Sequence, residues 1–191
     1  MECALRPALV WSDRAWAMAE ITFEQVFEEH GRSAGRTLRY LGVRESELED
    51  ACQEVFIVVH RRLGELAPRS GAEAPSVRAW VRQICVHVAS NARRTVRRRG
   101  EDALDAAPEA AADATQDAAL ERVRLRDRLV RLLDQLKEEQ RVVFVLYEIE
   151  QLTMQEVAVA VGCPLQTAYS RLHAARARMA EGLAESREVK A

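Results

Sequence analysis

Apolar residues recur along this chain at helical spacing, and the strict alternation of a half-buried strand is absent. Phe23, Val26, Phe27, His30, Ala34, Leu38 and Leu41 form one stripe. Thr22 and Gln25 supply a capping box ahead of it and Gly42 a stop behind it, which predicts a first helix. Ser46 and Glu49 form another box. They predict a second helix to about Leu66 that buries Leu48, Ala51, Val55, Val58, Val59 and Leu63. The run Pro68 to Pro75, PRSGAEAP, predicts a loop. A third helix follows from near Ser76 to about Arg98, with Val77, Val81, Ile84 and Val88 inward. Beyond a polar, Ala-rich stretch the pattern resumes with Leu125, Leu129, Leu132, Leu133 and Leu136. Val142, Val145, Leu146 and Ile149 then form the stripe of a further helix.

The segment Thr153 to Met179, TMQEVAVAVGCPLQTAYSRLHAARARM, predicts a helix-turn-helix. Thr153 and Glu156 cap its first helix. Val157, Ala158 and Val161 give that helix an apolar face, and Gly162 can take the left-handed turn conformation. Pro164 suits the start of the second helix, where its missing N–H costs nothing. From Leu165 to Ala180 there is no carboxylate, while Arg171, Arg176 and Arg178 are present. Cations without acids suit a phosphate-lined groove, and Gln or Arg can read base edges.

These elements predict an all-α chain of two small helical domains joined by a flexible acidic linker, the second ending in the helix-turn-helix. The expected divisions are an N-terminal extension at 1–20, a first domain at 21–99, a linker at 100–119, a second domain at 120–185 and a tail at 186–191. The formal net charge of -2 hides a strong segregation. Seven Arg and no acid lie between Arg78 and Gly100, and six acids and no Lys or Arg lie between Glu101 and Ala119. The linker is too poor in large apolar residues to order itself.

Cys3, Cys52, Cys85 and Cys163 form no C-x-x-C pair and no Cys/His metal spacing, so reduced thiols in a cytoplasmic protein are expected. No apolar run is long enough for a membrane span. The first twenty residues, interrupted by Arg6, Pro7, Asp13 and Arg14, make a poor signal peptide. They read as a disordered extension, with Met18 an alternative translation start. No glycine-rich phosphate loop, nucleophile motif or metal-ligand pairing is present. No catalytic residue, metal or cofactor is therefore expected.

Three segments together resemble the extracytoplasmic-function class of bacterial sigma factors, over roughly Ile21 to Leu183. LEDACQEVFIVVHRRL (48 to 63) is similar to the family's D-x-x-Q-E-V-F helix. VRAWVRQICVHVASNARRTVRRR (77 to 99) is similar to its F-R-A-W-L helix with an Arg-rich end. LKEEQRVVFVLYEIEQLTMQEVAVAVGCPLQTAYSRLHAARARM (136 to 179) is similar to its final domain. The resemblance implies a non-enzymatic protein that binds core RNA polymerase, directs it to promoters and helps open the DNA. It implies polymerase contacts at Asp50, Gln53 and Glu54. Phe56 and Trp80 are expected in the core. Minus-ten contacts are implied at Arg78, Arg82, His87, Asn91, Arg93, Arg94, Arg97 and Arg98. Minus-thirty-five contacts are implied at Gln166, Thr167, Tyr169, Ser170, Arg171, His173 and Arg176, with Leu172 and Met179 as core. Departures are Val77 for a leading Phe, His87 for a frequent Asn and Asn91 for a frequent Asp. Tyr169 stands where a cation is common. An anti-sigma factor is a candidate partner.

The rival reading is a stand-alone helix-turn-helix regulator that binds duplex DNA without polymerase, its first domain serving as sensor or dimerisation unit. Such a domain has no use for a D-x-x-Q-E-V-F helix, an Arg-rich helix and an acidic linker together.

Overall fold

The computed structural model describes residues 21–66, 76–99 and 117–188. The expectations for the N-terminal extension, the loop at 68–75, the linker at 100–116 and the last three residues concern positions outside these. Among the described residues there are seven α-helices and no strand. They are α1 (Phe23–Tyr40), α2 (Leu48–Arg62), α3 (Val77–Arg99), α4 (Asp117–Asp134), α5 (Glu138–Phe144), α6 (Met154–Val161) and α7 (Leu165–Glu188).

Local chemistry explains most of the boundaries. Thr22 caps α1, accepting from the Gln25 N–H at 3.3 Å, while the Gln25 carboxamide accepts from the Thr22 N–H at 3.1 Å. The chain leaves α1 through Gly42 at φ 88°. The box expected at Ser46 and Glu49 does not form. Glu45–Glu47 make a 3-10 turn that runs into α2 without a side-chain cap. At the far end of α2, Leu63–Leu66 form a further 3-10 turn. Helix α4 begins at Asp117, inside the stretch assigned to the linker, because Ala118 and Ala119 are strong helix formers. Helix α7 continues past Ser186 to Glu188.

Between α5 and α6 the helix widens into a π turn over Val145–Ile149. The Glu150 N–H donates to Val145 O at 2.9 Å and the Leu152 N–H to Leu146 O at 3.0 Å, spanning more residues than an α-turn. The extra residue turns Glu150 inward, where it is 6% exposed. Gln151, at φ 55°, completes the reversal and donates its side-chain amide to Glu148 O at 2.6 Å.

Helices α1, α2 and α3 pack around Val26, Leu38, Leu41, Val55, Val59 and Val81, with Trp80 and Phe56 buried beside them. Helices α4 to α7 enclose Leu133, Val143, Leu146, Val157 and Leu172. Gly182 of α7 approaches α4 so closely that a Cβ there would lie 2.8 Å from Leu132. Two stripe residues stay outside the core: Phe27 is 51% exposed and Leu125 57%. The two helical units are packed together, α3 lying along α6 and α1 touching α4.

Candidate nucleic-acid interface

The helix-turn-helix is built as its sequence requires. Glu156 accepts from the Thr153 N–H at 2.8 Å, and Thr153 Oγ1 accepts from the Glu156 N–H at 3.3 Å. Burial works against the Glu156 carboxylate. Hydrogen bonds from the Thr153 N–H, Ser76 and the Thr153 hydroxyl outweigh it and hold the acid below its usual range. Gly162 turns the chain at φ 68°, ψ 40°. Val157 and Ala158 of α6 and Ala168, Leu172 and Ala175 of α7 are buried, and their small residues let the two helices close.

The acid-free part of α7 therefore faces outward. Gln166, Tyr169, Ser170, His173 and Arg176 are exposed, and Thr167 and Arg171 are half-buried. Ser170 donates its hydroxyl back to Gln166 O at 3.0 Å. Arg176 is positioned by two groups outside α7. Its Nε donates to Glu148 at 2.7 Å, and its guanidinium lies 5.7 Å from the centre of the Tyr147 ring. Tyr147, Glu148, Gln151, Thr153, Tyr169 and Arg176 are among the residues lining a polar recess of about 590 Å³ beside the exposed helix face, the Glu148 carboxylate being paired with Arg176. Its amides and hydroxyls suit base edges and phosphates alike.

Helix α3 divides its polar residues between two sides. Arg78, His87, Asn91, Arg94 and Arg98 are exposed, with His87 and Asn91 one turn apart on the same face. Arg78 also reaches Gln151 O at 3.3 Å. The Arg97 side chain lies outside what is described. Arg82 and Arg93 are turned inward instead. Arg82 is 2% exposed and pairs with Glu150 at 2.6 Å. Arg93 pairs with Glu138 at 2.7 Å and donates to Leu41 O. In this arrangement neither faces solvent as a DNA contact must.

On α2, Asp50, Gln53 and Glu54 share an exposed face. Beside it lies an apolar groove of about 610 Å³ whose walls include Phe23, Phe27, Cys52, Phe56, Ile57 and His60. The rings of Phe27 and Phe56 meet edge to face at 4.9 Å, and Phe23 and His60 at 5.2 Å. Ile57 is 49% exposed, so the groove continues the polar face of α2.

Sequence reasoning missed three participants. Glu150 and Thr37, whose hydroxyl donates to the Glu150 carboxylate at 2.6 Å across the contact between the two helical units, carry no local signal, because each meets its partner only on folding. Tyr147 lies in the wide turn, which the apolar stripe of Val142, Val145, Leu146 and Ile149 does not distinguish from plain helix. The α1 stripe contains Phe27 but does not show that it stays exposed. Among the described residues no cluster of three or more His, Cys, Asp or Glu could hold a metal ion. Nor is any described helix long and apolar enough to cross a membrane.

The family described as Sigma-70, region 4 matches residues 126–179, the segment that carries the helix-turn-helix. The extracytoplasmic-function sigma factor SigE of Mycolicibacterium smegmatis is 28% identical over 169 residues, covering 86% of this chain and 62% of that protein. The RNA polymerase sigma-H factor of Pseudomonas aeruginosa is 31% identical over 140 residues, covering 68% of this chain and 69% of that protein. Two solved structures share the fold at 20% identity. CnrH in complex with the cytosolic domain of CnrY superposes with a TM-score of 0.62 over 85% of this chain and 88% of that one. The sigma factor RpoE in complex with the anti-sigma factor NepR, from Bartonella quintana, superposes with a TM-score of 0.61 over 84% and 96%. Together with the sigma-H relative, the region 4 match and the helical order already described assign this chain to the sigma-70 family of RNA polymerase sigma factors, in its extracytoplasmic-function class.

Proposed function

We propose that this protein binds core RNA polymerase, directs it to specific promoters and takes part in opening the DNA, without an active site of its own. The observation that carries this reading is the outward, acid-free face of α7, held by a capped helix-turn-helix that matches sigma-70 region 4. Gln166, Tyr169 and Arg171 would read or grip the minus-thirty-five element in the major groove. Thr167, Ser170, His173 and Arg176 would add phosphate contacts. On α3, His87 and Asn91 would meet bases of the minus-ten element, and Arg78, Arg94, Arg97 and Arg98 its phosphates, making affinity fall with salt.

Asp50, Gln53 and Glu54 of α2 would dock on a basic helical surface of the polymerase, where complementary charge favours rapid and correctly oriented association. Two structural neighbours are complexes with a second polypeptide, one of them an anti-sigma factor. A comparable partner here would restrain the protein by covering both helical units. Action in the cytoplasm follows from the same reading.

The test is run-off transcription with core polymerase lacking any sigma factor and genomic fragments as template. Discrete start sites that depend on the added protein and disappear with Asp50→Ala plus Gln53→Ala support the proposal. Tight duplex binding by the protein alone, with no transcripts, would instead identify a regulator that works without polymerase.

A further inference from the structure

The Arg176 guanidinium is fixed from outside its own helix. Its Nε lies 2.7 Å and its Nη2 2.5 Å from Glu148 Oε1. The guanidinium carbon stands 5.7 Å from the centre of the half-buried Tyr147 ring. Glu148 is itself held through its main chain, because the Gln151 side-chain amide donates to Glu148 O at 2.6 Å. Gln151 does so from φ 55°, a backbone that persists only where the surrounding structure demands it.

Both contacts to Glu148 come from one side of the guanidinium. Arginine carries five N–H donors in a rigid fork, so pairing through Nε and Nη2 leaves the end formed by Nη1 and Nη2 for another acceptor. That end offers the two parallel donors that meet a phosphate. The Arg176 side chain is 56% exposed and that of Glu148 31%, which leaves room for an anion at the guanidinium while the pair stays intact.

A carboxylate beside a DNA-facing cation has two opposite effects. It repels phosphate, which weakens binding. It also orders a side chain whose many rotamers DNA would otherwise have to freeze, which strengthens binding. A phosphate on the open end of the fork lies across the cation from Glu148, so the repulsion acts at longer range and is screened by solvent and salt. The ordering acts by direct contact and outweighs it.

We propose that Glu148 is a positioning residue for DNA binding. Together with Tyr147 it presets the Arg176 fork to grip one backbone phosphate, and so helps to set the register of α7 in the groove. The inference rests on the reading of α7 as the DNA-binding helix. Its consequence is opposite in sign to charge counting. Removing an acid beside a nucleic-acid face should tighten binding by electrostatics alone, whereas here it should loosen it.

The experiment uses the full-length protein, alone and with core RNA polymerase. The probe is a fluorescent 30-base-pair duplex that the wild type has enriched from a random-sequence library. Glu148→Ala should weaken binding about fivefold with the salt slope nearly unchanged, because the phosphate contact still forms once the side chain is ordered. Glu148→Gln keeps the shape and an acceptor for Arg176, and should recover most of that loss. Arg176→Ala should weaken binding about tenfold and lower the slope by about one unit. Adding E148A to R176A should then change affinity by less than about twofold, as a residue acting only through Arg176 must.

Unchanged or tighter binding by a folded E148A overturns the inference in favour of charge repulsion. An E148A loss that persists in the R176A background also overturns it, since Glu148 would then support the hairpin as a whole. Should E148A fail to fold, Tyr147→Leu tests the same ordering by removing the ring face. It should lose about twofold in affinity, and only while Arg176 is present, and no loss overturns the inference. An R176A protein that binds as wild type does so too, and run-off transcription with the wild-type protein then tests the sigma reading separately. Failure to enrich any duplex, alone or with polymerase, refutes the reading of α7 itself and the inference with it.

Discussion

Two glycines allow backbone strain and steric overlap to be separated. Gly162 and Gly42 both lie at positive φ, 68° and 88°. A Cβ at Gly162 would meet nothing within 4 Å. Gly162→Ala therefore costs only the left-handed conformation, about 1 kcal/mol. A Cβ at Gly42 carries the same backbone cost and also overlaps the Arg141 guanidinium. That side chain is buried and held by Leu133 O at 2.8 Å and Asp134 at 2.6 Å. Displacing it forfeits at least one charge-assisted hydrogen bond, about 1.5–3 kcal/mol. Gly42→Ala should therefore cost about 3 kcal/mol in all. Urea denaturation followed by circular dichroism measures both, with tryptophan emission as a second probe to check that the transitions coincide. Equal losses in the two variants would refute the overlap argument. A G42A loss that survives truncation of Arg141 to Ala would show that Arg141 is not its cause.

Four further outcomes follow from the geometry. Asp50→Ala plus Gln53→Ala should weaken binding to core polymerase by about tenfold or more while leaving the melting temperature nearly unchanged, because both residues are exposed, as measured by surface plasmon resonance and thermal unfolding. Arg171→Ala or Arg176→Ala should weaken duplex binding across sequences and lower the salt slope by about one unit if a phosphate contact is lost, measured by anisotropy titration. Burial, with help from Arg82 and Arg78 and against the pull of Glu29 and Glu150, holds His30 below its ordinary 6.5. The unfolded chain then takes up the proton first, so stability present above about pH 6.5 falls as the pH drops below it. Replacing His30 with Gln should flatten that slope in urea titrations at pH 7 and pH 5.5. The Cys85 thiol, buried in the first unit and pushed up to about 12, should resist iodoacetamide at pH 8 in the folded protein and react only on unfolding, read by mass spectrometry.

Much of the helical order was legible in the sequence because its signals are local. The Thr22 and Thr153 boxes and the Gly42 and Gly162 stops each involve groups within a few residues, and each forms as expected. Trp80, Phe56, Leu172 and Met179, expected as core residues beside the motif positions, are buried. The Ser46 box does not form because Glu45–Glu47 wind as a 3-10 turn that runs straight into α2, which leaves Ser46 inside the turn rather than at a helix start. The inward Arg82 and Arg93 were not legible at all. Their partners lie 68 and 45 positions away, and an Arg-rich helix reads the same in sequence whether its cations meet phosphates or carboxylates. Even where the candidate face of α7 was foreseen, its outer support was not. Glu148 and Tyr147 reach Arg176 from within the wide turn itself, and plain helical winding would not present them in the same way.

That wide turn constrains how the chain can change over evolutionary time. Losing one residue from Val145–Ile149 would restore ordinary helical winding and rotate everything beyond it by about 100°. The acid at Glu150 would leave the face it shares with Arg82 and Thr37, and α6 would enter its hairpin out of phase. Substitutions can sample this segment one side chain at a time, but a deletion must be matched at once on the other unit. Among descendants of a common ancestor, the length of this turn and the acid–arginine pair across the interface should therefore be inherited as one character, gained or lost together.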